Sequence, residues 1–182
     1  VEELLHFYHT EVDAVRNFSV GPSAHFPTQT PTDAFAAQMH AAPDAPALIM
    51  GERTVTYAEF GARVAALAEV LRRGGVGPET AVGVCIPRSV EMMVAIHAVL
   101  AAGAQYVPLD TAAPPDRIRD MIVTSGLRTL LLAVDAPDHR EPDCPLTVLR
   151  VDASSEVASG AVDPSALTGI AGVHPDDAAY TL

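Results

Sequence analysis

From Thr56 onward the chain alternates amphipathic helix with short apolar strand, and this alternation limits the available folds more than any other feature. Thr56 and Glu59 form a T-x-x-E capping box, in which hydroxyl and carboxylate each satisfy a backbone donor that the first helical turn leaves orphaned. The helix they open spans Tyr57 to Arg73. Phe60, Val64, Leu67, Ala68 and Leu71 recur along it at three- and four-residue steps, and Gly74 and Gly75 supply a left-handed stop. Ala81 to Ile86 is a short apolar run suited to a buried strand. Ser89 caps a second helix through Ala102, with Gly103 as its stop, and Gln105 to Leu109 is the next strand.

The unit then repeats. Pro114 or Pro115 opens a helix where proline is tolerated, Asp116 sits in its first turn and Gly126 closes it. Arg128 to Ala133 and Leu146 to Val151 are further strands, and Ala178 to Leu182 begins one more. Strands joined by helices of this length require crossover connections, so the sheet is mostly parallel with helices on both faces. The expected fold class is α/β, with Rossmann-like topology.

Residues before Thr56 are less regular. Val1 to Phe18 can form a helix with Leu4, Leu5, Tyr8, Val12 and Val15 near one face, and 21–31 holds three prolines without periodicity. Residues 1–31 are therefore read as a lead-in helix and linker from a preceding domain, and 32–182 as the globular part. Thr32 or Asp33 is expected to start a short helix with Phe35, Ala36 and Met39 inward, ended by Pro43. Ala47 to Met50 and Thr54 to Val55 fit a hairpin around Gly51.

Composition excludes several chemistries. All eleven basic residues are arginine, against 23 acidic ones, for a net charge of −12. Without lysine the chain cannot complete a Walker-type phosphate loop or a Schiff-base mechanism. The acidic balance argues against nucleic acid. Arg72 and Arg73, the one adjacent basic pair, fall at a helix end where they answer the helix dipole. Cys85 and Cys144 lie 59 positions apart with no metal or disulfide spacing, which favours a reduced, cytoplasmic setting. The longest apolar stretch, Val90 to Leu109, is broken by Glu91, His97, Gly103, Gln105 and Pro108, and reads as a buried helix plus strand, with no role for a membrane.

No candidate site assembles from the residues alone. His6 and His9 have ligand-compatible spacing but no third ligand follows; His97 sits in the most apolar helix, where a bond to backbone is the commoner outcome; His40, His139 and His174 fall at helix ends or in loops. Ser89 and Ser125 lack the turn that a nucleophile elbow needs, so Ser89 is a helix cap. Met92 and Met93 read as core. Gly74, Gly75 and Gly77 follow a helix and precede a strand, the wrong order for a dinucleotide fingerprint. The acidic stretch from Asp135 to Asp163 carries a net −5, yet Asp152, Ser154 and Glu156 lack the pattern of a calcium loop.

Three segments together resemble a known family. They are Val55-Thr56-Tyr57-Ala58-Glu59-Phe60, then the run from Val99 through Gly103 to Tyr106-Val107-Pro108-Leu109-Asp110, then Pro115-Asp116-Arg117-Ile118. In order and spacing they are similar to the opening motifs of the adenylation domains of nonribosomal peptide synthetases, within the adenylate-forming superfamily. Gly83-Val84-Cys85-Ile86 with Arg88-Ser89 resembles the strand and helix start between the first two motifs. Val55 and Phe60 stand where leucine is usual, and Thr111 and Ala113 where proline and tyrosine are common, which bears on the path of the loop after Asp110. The ending Tyr106 to Asp110 favours the amino-acid-activating branch. Asp177 to Leu182 resembles the strand that leads into the Ser/Thr/Gly-rich loop holding the ATP phosphates.

The resemblance implies an enzyme that uses ATP and Mg to make an aminoacyl adenylate and passes it to the phosphopantetheine thiol of a peptidyl carrier protein, in natural product biosynthesis. The phosphate loop, amino-acid pocket, nucleotide contacts and the lysine of the small C-terminal subdomain would lie beyond Leu182. The expectation is a scaffold portion, inactive as an isolated fragment, with no catalytic, cofactor-binding, substrate-binding or metal residue. Its partner would be the remainder of the adenylation domain; a preceding condensation domain and a small activator protein are further candidates. The alternatives are a non-catalytic α/β interaction module and a fragment of an acyl- or aryl-CoA ligase.

Overall fold

The computed structural model of the chain describes residues 2–22, 29–138, 144–152, 164–167 and 174–181. Its first helix, α1 (Glu2–Ser19), carries Val15 and Phe18 exposed, with Val20 exposed just beyond it; Phe18 keeps 93% of its surface in solvent. The next helix, α2 (Pro31–Ala41), starts earlier than Thr32 or Asp33. Thr30 is the cap: its hydroxyl accepts from the Asp33 N–H at 3.1 Å while the Asp33 carboxylate accepts from the Thr30 N–H at 3.0 Å. Pro31 then occupies the first helical position, where its missing donor costs nothing.

The expected hairpin forms from β1 (Pro46–Met50) and β2 (Arg53–Thr56), antiparallel around Gly51 at φ +59°. Helix α3 (Tyr57–Arg73) follows at once. The Thr56 hydroxyl accepts from the Glu59 N–H at 3.2 Å, which is the first half of the expected box; the reciprocal, two-way box is the one at Thr30. At the other end Gly75 is the left-handed residue, φ +85°, while Gly74 stays right-handed at −77°. Arg72 and Arg73 lie in the last turn as expected, and both also bond Glu69.

The parallel sheet consists of β3 (Ala81–Cys85), β4 (Gln105–Pro108), β5 (Thr129–Ala133) and β6 (Thr147–Val151), in spatial order β4-β3-β5-β6. Helix α4 (Val90–Ala101) connects β3 to β4, and α5 (Pro115–Thr124) connects β4 to β5. Because side chains alternate across a strand, the sheet has two apolar faces. On one, Val82, Val84, Leu131 and Val151 pack with buried residues of α2, α3 and α4. On the other, Cys85, Val107, Leu130 and Leu132 pack with Ile118 and Ile122 of α5. Successive crossovers thus cover opposite faces, which is the doubly wound, Rossmann-like arrangement expected. Leu167, in the short 3-10 turn Pro164–Leu167, is fully buried against the first of these layers.

Two glycines are required by close approach. A Cβ at Gly61, inside α3, would collide with the Sδ of Met39 on α2, so its absence lets those helices touch. A Cβ at Gly83 would stand 2.8 Å from methyl carbons of Leu127 and Leu130. The strand expected at Ala178–Leu182 is reduced to one parallel bridge, Tyr106 with Tyr180, and Leu182 lies outside the described residues.

Candidate functional site

The chain leaves β3 for one neighbour and arrives at β5 on the other side, so the order reverses between them, and open α/β sheets bind ligands outside the carboxyl ends of their strands at such a reversal. That edge is built from Ile86 to Ser89 after β3, Leu109 and Asp110 after β4, Val134 after β5 and Asp152 after β6. Arg88 is exposed there, one residue before Ser89. Ser89 accepts from the Met92 N–H at 3.1 Å and so acts as the helix cap expected of it. Asp110 accepts from the Ala112 N–H at 2.9 Å, turning the chain away from β4.

Three arginines stabilise this edge. Arg63, only 5% exposed, reaches from α3 to Glu91 in the first turn of α4 at 3.2 Å and to the Asp152 carbonyl at 3.3 Å; Arg53 of the hairpin meets the same carboxylate at 3.5 Å. Burial pushes the Glu91 carboxyl up, but its own N–H, Arg63 and Arg53 outweigh burial and hold it below the ordinary value. Arg150 of β6 donates through Nη1 to the carbonyls of Ala133, Val134 and Ala136 at 2.7–3.0 Å, fixing the chain as it leaves β5. Neither cluster is visible as a pair in the sequence. The available signal is a charge, Arg63, three residues after Phe60 on the inward stripe of α3.

The remaining candidates are dispersed. His97 packs in a three-ring cluster with Phe35 and Phe60, with centroids 5.4 and 5.0 Å away, and donates from Nδ1 to the Met93 carbonyl at 2.9 Å. Burial lowers its pKa, partly opposed by that bond, so it is a neutral core residue as its sequence position predicts. The Cys85 thiol is buried; burial first, then the Asp110 charge, raises its pKa and keeps it protonated. Met92 and Met93 pack against the core, also as expected. His174 is in an exposed turn with Asp176 and Asp177, and His40 is exposed at the end of α2. The side chains of His6 and His9, and residues His139, Ser154 and Glu156, lie outside the described residues. Among the described residues no three His, Cys, Asp or Glu side chains are grouped to hold a metal, and no helix is long and apolar enough to cross a membrane.

Gly74 and Gly75 line a hollow of about 610 Å³ with Glu79, Thr80, Arg128 and Thr147. It lies at the amino ends of the strands, the edge opposite the one where such sheets take ligands. The glycine string is therefore not a phosphate loop.

Comparison with known proteins agrees with the topology. The sequence pattern of a family described as AMP-binding enzyme matches residues 35–182. A linear gramicidin synthase of Brevibacillus parabrevis is 47% identical over 103 residues, which is 54% of this chain and 2% of that protein. The crystal structure of a variant of the nonribosomal peptide synthetase FmoA3 with α-methyl-L-serine-AMP bound superposes with a TM-score of 0.78 at 29% identity, covering 92% of this chain and 18% of that one. An artificially fused adenylation-PCP di-domain from Klebsiella oxytoca gives a TM-score of 0.60 at 28% identity, over 69% of this chain and 23% of the other. The chain thus spans a small part of each protein it matches, and by the extent of the family match it belongs to the AMP-binding enzymes.

Proposed function

We propose that this chain is the scaffold portion of an amino-acid-activating adenylation domain, in a protein that forms an aminoacyl adenylate from ATP and loads it onto a carrier-protein thiol. The observation that supports it most is the FmoA3 likeness: a nonribosomal peptide synthetase holding an aminoacyl-AMP shares this fold over nearly the whole chain. The chain's own contribution is to build the sheet and fix its carboxyl edge, through the Arg63–Glu91 pair and the Arg150 clamp, against which the reacting parts assemble. No residue of the chain is assigned a role on substrate, nucleotide or metal. The complete protein would use ATP with Mg, and the ion would assist attack of the amino-acid carboxylate on the α-phosphate. Residues 1–31 would join this unit to a preceding domain, a condensation domain being the natural candidate in a synthetase. A peptidyl carrier protein, as in the Klebsiella oxytoca fusion, would receive the product. The setting would be cytoplasmic.

ATP–pyrophosphate exchange tests this reading. The complete protein should exchange label with at least one amino acid, and residues 1–182 alone should exchange none. Exchange by the short chain, or acyl-CoA formation in place of amino-acid-dependent exchange by the complete protein, would overturn it.

A further inference from the structure

Two hollows meet at the amino edge of the sheet, and Gly126, Arg128 and Pro145 line both. The first, about 610 Å³, is polar: Thr80, Gln105, Ser125 and Thr147 line it, and its only charged residues are Glu79 and Arg128. The second, about 640 Å³, is walled by Ile122, Val123, Leu127 and Pro145, with Arg128 as its one charge. Both volumes suit a small molecule. Strands β3 and β5 are 5 residues long, about 16 Å, so these hollows are separate from the carboxyl edge described above.

Opposite charges come together here without pairing. Val82 pairs with Thr129 across the β3–β5 ladder, so Glu79 and Arg128 both fall just before the first rungs of adjacent strands. Neither side chain forms a hydrogen bond or ion pair with any described residue. Glu79 is also held at φ +60°, at the third position of a turn closed by the Thr80 N–H on the Gly77 carbonyl at 3.1 Å. Glycine takes that conformation freely, and a Cβ makes it costly. The chain thus keeps a carboxylate beside the hollow where its backbone favours no side chain at all.

The charges and the apolar wall together select a ligand class. A simple anion would suit Arg128 but be repelled by Glu79, a cation the reverse, and an apolar molecule would strip water from both charges without replacing it. A zwitterion satisfies the two at once. We propose that the amino edge binds a free α-amino acid with an apolar side chain: the carboxylate on the Arg128 guanidinium, the ammonium on Glu79, and the side chain in the hollow of Ile122, Val123 and Leu127. Arg128 lines both hollows and so stands where the charged and apolar ends of such a ligand join. The site does not rest on the function proposed above.

The test is amide hydrogen exchange on the complete protein with L-leucine as the probe. L-Leucine should slow exchange saturably in residues 79–82 and 126–129. Glycine, which lacks the side chain, and isocaproate, which lacks the ammonium, should each need roughly tenfold higher concentration or more for the same protection. Arg128→Ala and Glu79→Gly should each raise the half-saturating concentration of L-leucine by a similar factor. Glu79→Gly also frees the left-handed position, so its melting temperature without ligand should equal or exceed that of wild type. Residues 86–91 and 109–112 report binding at the carboxyl edge, and their response to L-leucine should be the same in both variants as in wild type. Absence of protection at the amino edge, protection that survives either variant, or equal protection by isocaproate overturns the site. A lowered melting temperature in Glu79→Gly overturns the role given to that carboxylate.

Discussion

The two faces of the sheet are covered differently, and the helices' sequences show why. Helix α4 has the sheet beneath it and α3 above it, so Val90, Val94, Ala95, Ala98 and Val99 are buried and its one early charge, Glu91, is itself paired inside. Helix α5 covers the opposite face with no further helix packed above it among the described residues: Ile118 and Ile122 are buried, Val123 is 70% exposed, and Asp116, Arg117 and Asp120 face water. A helix enclosed on two sides must be apolar nearly all round, and one enclosed on a single side needs only a stripe. Polar groups therefore differ in weight between the layers. On the enclosed side a charge is a structural commitment; on the open side it is nearly free.

The largest test of that difference is Glu91. Glu91→Ala would leave Arg63 buried without its carboxylate, which should cost about 3–5 kcal/mol in urea unfolding, whereas replacing both partners, as Arg63→Met with Glu91→Leu, should recover most of the loss. A double replacement no better than the single one would show that Arg63 acts through the Asp152 carbonyl alone. Because the folded-state pKa of Glu91 lies below its ordinary 4.5, its contribution is fully present above that value and is lost as pH falls through the lowered one. Glu91→Gln should accordingly flatten the acid limb below about pH 4.5.

Gly61→Ala comes next, within the same layer. The new methyl must displace Met39, and an overpacked core contact of this kind costs about 1–3 kcal/mol. Met39→Ala in the same chain should reduce the penalty of Gly61→Ala, giving a measurable coupling in a double-mutant cycle. Full additivity would mean that α2 and α3 do not meet at that point.

His97 gives a smaller, pH-dependent signal. Its ring contacts are Phe35 from α2 and Phe60 from α3, and on its own helix the Met93 carbonyl holds its proton at Nδ1. The folded-state pKa lies below the ordinary 6.5, so between the two values the unfolded chain binds more protons, and stability must fall as pH drops through that window. This window opens at the ordinary 6.5, above the 4.5 at which that of Glu91 opens. His97→Asn should remove the upper slope and leave the lower one in place.

Much of this is legible in the sequence, for a physical reason. The α3, α4 and α5 boundaries follow from local chemistry, as with Ser89 as cap and Gly75, Gly103 and Gly126 at positive φ, and local chemistry is written in adjacent residues. The start of α2 is equally local, yet it falls earlier than expected, because Thr30-Pro31-Thr32-Asp33 offers two threonines and the proline at the first helical position selects the first of them. What adjacent residues do not reveal is contact between distant segments: Arg63 with Glu91, Arg150 with the carbonyls after β5, Tyr180 with Tyr106. Family membership follows from motif order, which a sequence carries.

The smallest effect belongs to the open face. Asp116 pairs with Arg119 one turn along α5, but Asp116 is 85% exposed, so the pair forms in water and gains little over two hydrated charges. Asp116→Ala also removes a negative charge from the first turn, where it opposes the positive end of the helix dipole. The two losses together should stay near or below about 1 kcal/mol and shrink in roughly 0.5 M salt, since both are screened. Glu91 occupies the corresponding first-turn position of α4, with Arg63 as its buried partner, and its loss should change little with salt. A cost for Asp116→Ala as large and as salt-insensitive as that for Glu91→Ala would mean that α5 is covered after all in the folded protein, and the contrast between the faces would have to be abandoned.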